Sequence, residues 1–249
     1  MKKLFIVLCA FSSTVFVACS QSDSPISTNK AATYYGESQP FGGDSIRSWI
    51  KTDQSGNPSS IGVTFSHAAF VKTENANADS MFMMMLPTSS GAMLAAPFDH
   101  IEVDWTKDHS DPSPYDVAHF DVHFFTVTEA AQNAVMAGMD NATMTMDTNY
   151  LPSGYELMMN AEAMMGVHAM DTTDHDKPFN HTCMFGYSQG NLYFMEPMFA
   201  KSYLDNTTNY SAAIRQPKKF KTSGWYPTKY NLTWDGTNFS ISIDNFISH

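Results

Sequence analysis

Cysteine is scarce in this chain. Three in 249 residues exclude a disulfide-built scaffold, which needs several paired bridges. Basic residues are also few: 14 Lys and Arg stand against 25 Asp and Glu, for a formal net charge of −11. Nucleic acid binds through a basic footprint, so no nucleic-acid partner is expected. The chain has no phosphate-binding glycine loop and no His-Glu-x-x-His, and neither of the chemistries those two motifs support has a starting point here. Asn141-Ala-Thr, Asn180-His-Thr and Asn231-Leu-Thr have the form of glycosylation sequons. In a chain with a bacterial-type leader they are read as chance products of an Asn- and Thr-rich composition.

The leader is MKKLFIVLCAFSSTVFVACS. Lys2 and Lys3 precede an apolar run from Leu4 to Cys9 that resumes at Val15, and small residues follow before Cys19. That is the shape of an export signal, too short and wrongly flanked for a spanning helix of the mature chain. Phe16-Val17-Ala18-Cys19 resembles the lipobox of bacterial lipoproteins, which implies cleavage before Cys19 and lipidation of that cysteine. Phe16 stands where leucine is usual, so release as a soluble protein stays open. Ser20 and Gln21 after the cysteine imply, by the same resemblance, an outer-membrane lipoprotein facing the periplasm or cell surface. The expected organisation is a signal peptide over 1–18, a lipidated polar tether over 19–33 and a single β-rich domain over 34–249. A domain of that length is ample for a buried core. Cys9 leaves with the signal and Cys19 carries the lipid, which leaves Cys183 without an internal partner.

Two-residue alternation recurs along the domain. Ser45 to Lys51 alternates, Asp53 to Pro58 supplies a turn, and Ile61 to Phe65 returns, which predicts a hairpin. Thr182 to Tyr187 with Leu192 to Pro197 predicts a second. Tyr230 to Trp234 with Phe239 to Asp244, joined at Asp235-Gly236, predicts a third. Met81 to Leu86 is a short apolar run read as a buried strand, and Thr128 caps a short helix expected over Glu129 to Ala137. The class is mainly β with short helices (α+β), an antiparallel sandwich or partly closed barrel.

The stretch Pro97 to Val127 places four of the nine histidines among aspartates and glutamates, between two runs that read as strands. In the first, His100, Glu102 and Asp104 share a face; in the second, His119, Asp121 and His123 do. A hairpin register pairing Asp104 with His119, Glu102 with Asp121 and His100 with His123 would make a wall of imidazoles and carboxylates. On a straight strand His119 and His123 lie about 13 Å apart and cannot share an ion. Ligation is therefore expected across strands, His123 with His100 or His119 with Asp104, completed by His168 or Glu196. The candidate metal residues are His100, His119, Asp121, His123, His168 and Glu196, and the donor set suits zinc, copper, iron or nickel. A spare carboxylate, Asp121 or Glu102, could act as general base if the site were catalytic. The same pattern also fits a buried polar ladder or a solvated sheet face that binds nothing.

His109 lies in the loop between the two runs; His67, His175, His181 and His249 are isolated in the sequence. Met136-x-x-Met139, Met144-x-Met146 and Met164-Met165 are spaced like copper(I) thioether clusters, but methionine also packs irregular cores, and packing is preferred. Cys183, in an apolar strand, is read as packing.

Five segments carry a wider resemblance: Phe98 to Trp105, Tyr115 to Phe124, Met165 to Asp171, Phe194 to Met198 and Trp225 to Pro227. Together they resemble an uncharacterised family of exported bacterial proteins, a domain of unknown function related to a Thermus protein under extracytoplasmic sigma-factor control. The resemblance implies export and a homo-oligomer, with no agreed activity. Where that family often has an aromatic, this chain has Ala169, which would loosen the pocket that His168 borders. Three functions stay open: a metal-binding lipoprotein domain, a metal-dependent enzyme using the same site, and an envelope-stress structural or oligomeric protein with no metal.

Overall fold

The computed structural model describes residues 31–74, 80–89, 92–107, 115–174 and 178–249. The signal peptide, Cys19, all but the last residues of the tether, His109 and His175 lie outside the described residues. In chain order the elements are β1 (Ala32–Phe41), β2 (Asp44–Thr52), β3 (Pro58–Ser66), α1 (His67–Glu74), β4 (Ser80–Met85), β5 (Thr88–Ser89), β6 (Ala92–Met93), β7 (His100–Thr106) and β8 (His119–Phe125). There follow α2 (Glu129–Asn133), α3 (Asn141–Met144), β9 (Tyr155–Leu157), β10 (Val167–Asp171), β11 (His181–Ser188) and β12 (Asn191–Ala200). The last elements are α4 (Lys201–Leu204), β13 (Asn209–Ala213), β14 (Trp225–Trp234) and β15 (Asn238–Ser248). Among the described residues no helix is long and apolar enough to cross a membrane.

Two antiparallel sheets pack as a sandwich, and the barrel alternative falls away. One sheet runs β1-β2-β3-β15-β14-β13 and the other β4-β7-β8-β12-β11-β10-β9. The three expected hairpins form: β2 with β3, β11 with β12, and β14 with β15. Alternation decides which side chains meet between the sheets. Ile61, Val63 and Phe65 of β3 and Phe239, Ile241 and Ile243 of β15 face Ile101, Val103 and Trp105 of β7 and Phe120, Val122 and Phe124 of β8 in one apolar cluster. Each such side chain, fully buried, contributes roughly 1.5–3 kcal/mol of transfer free energy.

Because the odd-numbered β7 residues and even-numbered β8 residues point into that core, their neighbours point the other way. The histidines and acids therefore stand on the outer face of the seven-stranded sheet. They are nonetheless buried, because the excursion from Thr126 to Gly166 folds back over them. Gly138 and Ala161 exchange two backbone hydrogen bonds within this excursion, of 2.9 and 2.7 Å.

The structure corrects several sequence expectations. β7 and β8 pair Asp104 with Asp121, Glu102 with His123, His100 with Phe125 and Thr106 with His119, a register two residues away from the expected one. The longer loop before β8 leaves the turn chemistry too weak to fix the register. The helix after Thr128 stops at Asn133, with Ala134 at its C-cap, because pairing of Gly138 with Ala161 draws the next residues away. Thr128 does cap it, accepting from Ala131 N. The Met81–Leu86 run forms a strand but at the sheet edge: Met84 is buried while Met81 and Met85 are half exposed. Gln39 Nε2 and Ser48 Oγ from the other sheet donate to Met83 O and Met85 O, both at 2.7 Å, which closes an edge that would otherwise be open to pairing. Ala169 faces the core between the sheets, on the side of β10 away from His168, so its size cannot loosen the pocket.

Candidate metal centre

Cross-strand rows organise the outer face. Glu102 lies opposite His123, and Glu196 of β12 comes next in the row, opposite Met184 of β11. One step along, His100 pairs with Phe125, Phe125 with Phe194, Phe194 with Gly186, and Gly186 with His168. Gly186 has no side chain, and Phe194 lies over it; this lets His168 lean in from β10 toward Glu196. The register of three strand pairs, none of it local in sequence, thus brings His123, Glu196 and His168 together.

The distances define two donor sets. His123 Nε2 is 3.2 Å from Glu196 Oε1, and His168 Nε2 is 3.7 Å from Glu196 Oε2. Donor atoms of His123, His168 and Glu196, all buried, lie within 4.8 Å of one another, and so do those of Glu102, Asp104 and His123. His123 Nδ1 forms an ion pair with Asp104 Oδ2 at 3.2 Å that is not aligned as a hydrogen bond, and Glu196 Oε2 and Glu102 Oε1 are buried without a hydrogen-bond partner among the described residues. Two ligands held about 2.0–2.1 Å from a tetrahedral ion lie roughly 3.3 Å apart. The observed spacing fits that edge, and the missing hydrogen-bond alignment is what converging lone pairs produce.

Electrostatics point the same way. Burial pushes the Asp104 carboxyl up to about 6, with the Glu102 and Asp121 charges adding to the rise and His123 opposing it. Burial alone would lower the His123 pKa, but the Glu196 charge and Asp104 outweigh it and hold it well above the ordinary histidine value. The pocket is thus short of positive charge; its lining includes Asp104, Asp121, Glu162 and Glu196 and, among the described residues, neither Lys nor Arg. It opens into a cavity of about 380 Å³, whose apolar wall is made by Tyr115 and by Met158, Met165, Met184 and Met198.

The remaining expected residues sit beside this centre and belong to neither set. His100, fully buried, engages Asp99 Oδ1 and Gln132 Oε1, each at 2.9 Å, and stacks on Phe125 with ring centroids 4.7 Å apart. His119 contacts the Val117 carbonyl through Nδ1 and Asp121 Oδ1 through Nε2 at 3.1 Å. Burial would lower the His119 pKa, but the Asp121 charge and hydrogen bond raise it. Burial would raise that of Asp121, but His119 pulls it down. Both nitrogens of His100 are hydrogen-bonded, and His119 Nε2 is held in an ion pair by Asp121 with no third donor among the described residues converging on it. Of the methionine pairs marked in the sequence, only Met165 reaches the cavity; Met136 and Met139 are exposed.

Two residues escaped the sequence reading. Gln132, completely buried, donates from Nε2 to Glu102 Oε2 at 3.0 Å while holding His100. Glu162, on the covering excursion, lies 3.7 Å from His168 Nδ1. The Thr128 cap places a helix near Gln132 but does not say which face it buries, and nothing in the sequence marks Glu162.

Residues 53–105 match the family model described as TTHB210-like, hypothetical protein TTHB210. The matched segment runs from the β2–β3 turn through most of β7, so it includes His100, Glu102 and Asp104 and stops short of His123, His168 and Glu196. No curated protein matches the chain, and no solved structure does.

Proposed function

We propose that the chain is an exported lipoprotein domain that binds a divalent transition metal, zinc, copper, iron or nickel, through His123 Nε2, His168 and Glu196. The observation that supports this is the buried convergence of those three donors within 4.8 Å. Three protein ligands, two imidazole and one carboxylate, are the set a catalytic-type ion takes when its fourth position is left to water or a small molecule. Anchoring at Cys19 to the outer membrane, with the domain facing the periplasm or cell surface, rests on the leader sequence, and assembly into a homo-oligomer rests on the family resemblance.

The cavity of about 380 Å³ beside the donors favours a second reading, in which the bound ion activates water for a metal-dependent enzyme. A saturated site would have no use for such a space.

Elemental analysis of chain purified without a histidine tag tests the metal reading, alongside thermal melting with and without chelator. Bound metal and a chelator-induced drop in melting temperature are expected, both lost in His123→Ala, because ligands that converge only in the native state couple binding to folding. Metal-free protein that melts alike in both conditions would overturn the reading and leave an architectural polar network.

A further inference from the structure

We infer that the His123 imidazole is shared by two metal ions, one at each ring nitrogen, so that the centre is binuclear. This rests on the metal-binding reading above and extends it. The two nitrogens look in opposite directions into different donor sets: Nε2 toward Glu196 Oε1 and Nδ1 toward Asp104 Oδ2, each at 3.2 Å. The Nδ1 side has its own three-donor group of Glu102, Asp104 and His123 within 4.8 Å.

Hydrogen bonding separates this second group from an ordinary acidic cluster. Glu102 is completely buried. Its Oε2 accepts from Gln132 at 3.0 Å, which fixes the carboxylate, while Oε1 has no hydrogen-bond partner. His123 Nδ1 and Asp104 Oδ2 form an ion pair at 3.2 Å that is not aligned as a hydrogen bond. Leaving a buried donor or acceptor unmade costs about 1–3 kcal/mol, more if it is charged. What sets this group apart is that a third atom, the buried and unpartnered Glu102 Oε1, converges on the His123–Asp104 pair, so that one cation would serve all three. Gln132 is then the positioning residue, a neutral amide that orients Glu102 without competing for the ion.

Charge balance supports two ions over one. The carboxylates of the two donor sets are Glu102, Asp104 and Glu196; Asp121 is paired with His119, Glu162 is mostly exposed, and no lysine or arginine among the described residues lines the cavity. A bridging imidazolate adds a fourth negative charge, and two divalent cations cancel all four. A single ion leaves net negative charge in a buried site, where it is costly. Binding at both nitrogens displaces the ring's last N–H proton, which leaves to solvent; no oxidation or reduction accompanies the step.

Zinc titration of tag-free apoprotein by calorimetry gives the stoichiometry, and copper(II) loading followed by electron paramagnetic resonance reports the bridge. The full chain is expected to bind two ions, and the copper form to lose most of its single-ion signal through coupling across the ring. The double variant Glu102→Gln, Asp104→Asn is expected to bind one ion and to show the full signal of isolated copper(II). Circular dichroism establishes that this variant is folded, and His168→Ala provides a second variant that should retain only the Glu102–Asp104 ion. One ion per chain, unchanged in the double variant, would overturn the binuclear inference and leave the mononuclear reading standing. No bound ion would overturn both.

Discussion

The ring of Phe194 occupies the space that a side chain at Gly186 would need: a Cβ built there would fall 2.1 Å from Phe194 Cε1. The glycine is required by this packing and not by its backbone angles. The ring it admits stands edge-on to His123, with centroids 4.8 Å apart, and against His168 at 5.3 Å. Phe194 is therefore a wedge that sets both imidazoles. Gly186→Ala must displace it. Overpacking of this kind costs about 1–3 kcal/mol, expected as a lower denaturant midpoint with unchanged slope, together with weaker zinc binding by calorimetry. Unchanged stability would show that the ring moves freely and positions nothing.

Gln132 joins two buried groups that stand two residues apart on one face of β7. Its amide holds His100 Nε2 and Glu102 Oε2 at 2.9 and 3.0 Å. Removing it leaves both atoms buried and unpaired, at about 1–3 kcal/mol each. Gln132→Ala is expected to lose more stability than truncation of an exposed residue on the same helix, such as Glu129→Ala, which should fall within about 0.5 kcal/mol of the parent. Chemical denaturation of the two variants makes the comparison.

How far the sequence revealed this site follows from the range of each interaction. Strand alternation is local, so the sharing of faces by His100, Glu102 and Asp104, and by His119, Asp121 and His123, was legible from spacing alone. The relative offset of β7 and β8 was not, because the connecting loop is long and either register keeps the apolar face inward. That two-residue difference exchanges His123's partner from His100 to Glu102. The approach of His168 depends on β10, β11 and β12 pairing in order and on Gly186 being bare, which are tertiary facts. Burial of the polar face depends on an excursion whose methionine-rich sequence carries no period.

The last expectation concerns Asp140, which ties that covering excursion to the β11–β12 hairpin. Its carboxylate caps α3, accepting from Thr143 N at 3.0 Å and Thr143 Oγ1 at 2.8 Å, and reaches across to Gln189 N at 2.7 Å. Burial by itself would raise the Asp140 pKa, but the donors from Thr143 and Gln189 outweigh it and bring it below the ordinary aspartate value. A carboxyl whose folded-state pKa is depressed adds stability above its unfolded pKa, near 3.9, and that share is lost as pH falls through the lower folded value. Asp140→Ala is therefore expected to be about 1–2 kcal/mol less stable than the parent at pH 7, the usual range for a lost cap. The gap should narrow only below about pH 4, as the parent's own carboxylate takes up its proton. Urea unfolding of both proteins between pH 7 and pH 3 measures it. A gap that stayed constant across that range would show that the side chain acts by shape and neutral hydrogen bonding, with its charge playing no part.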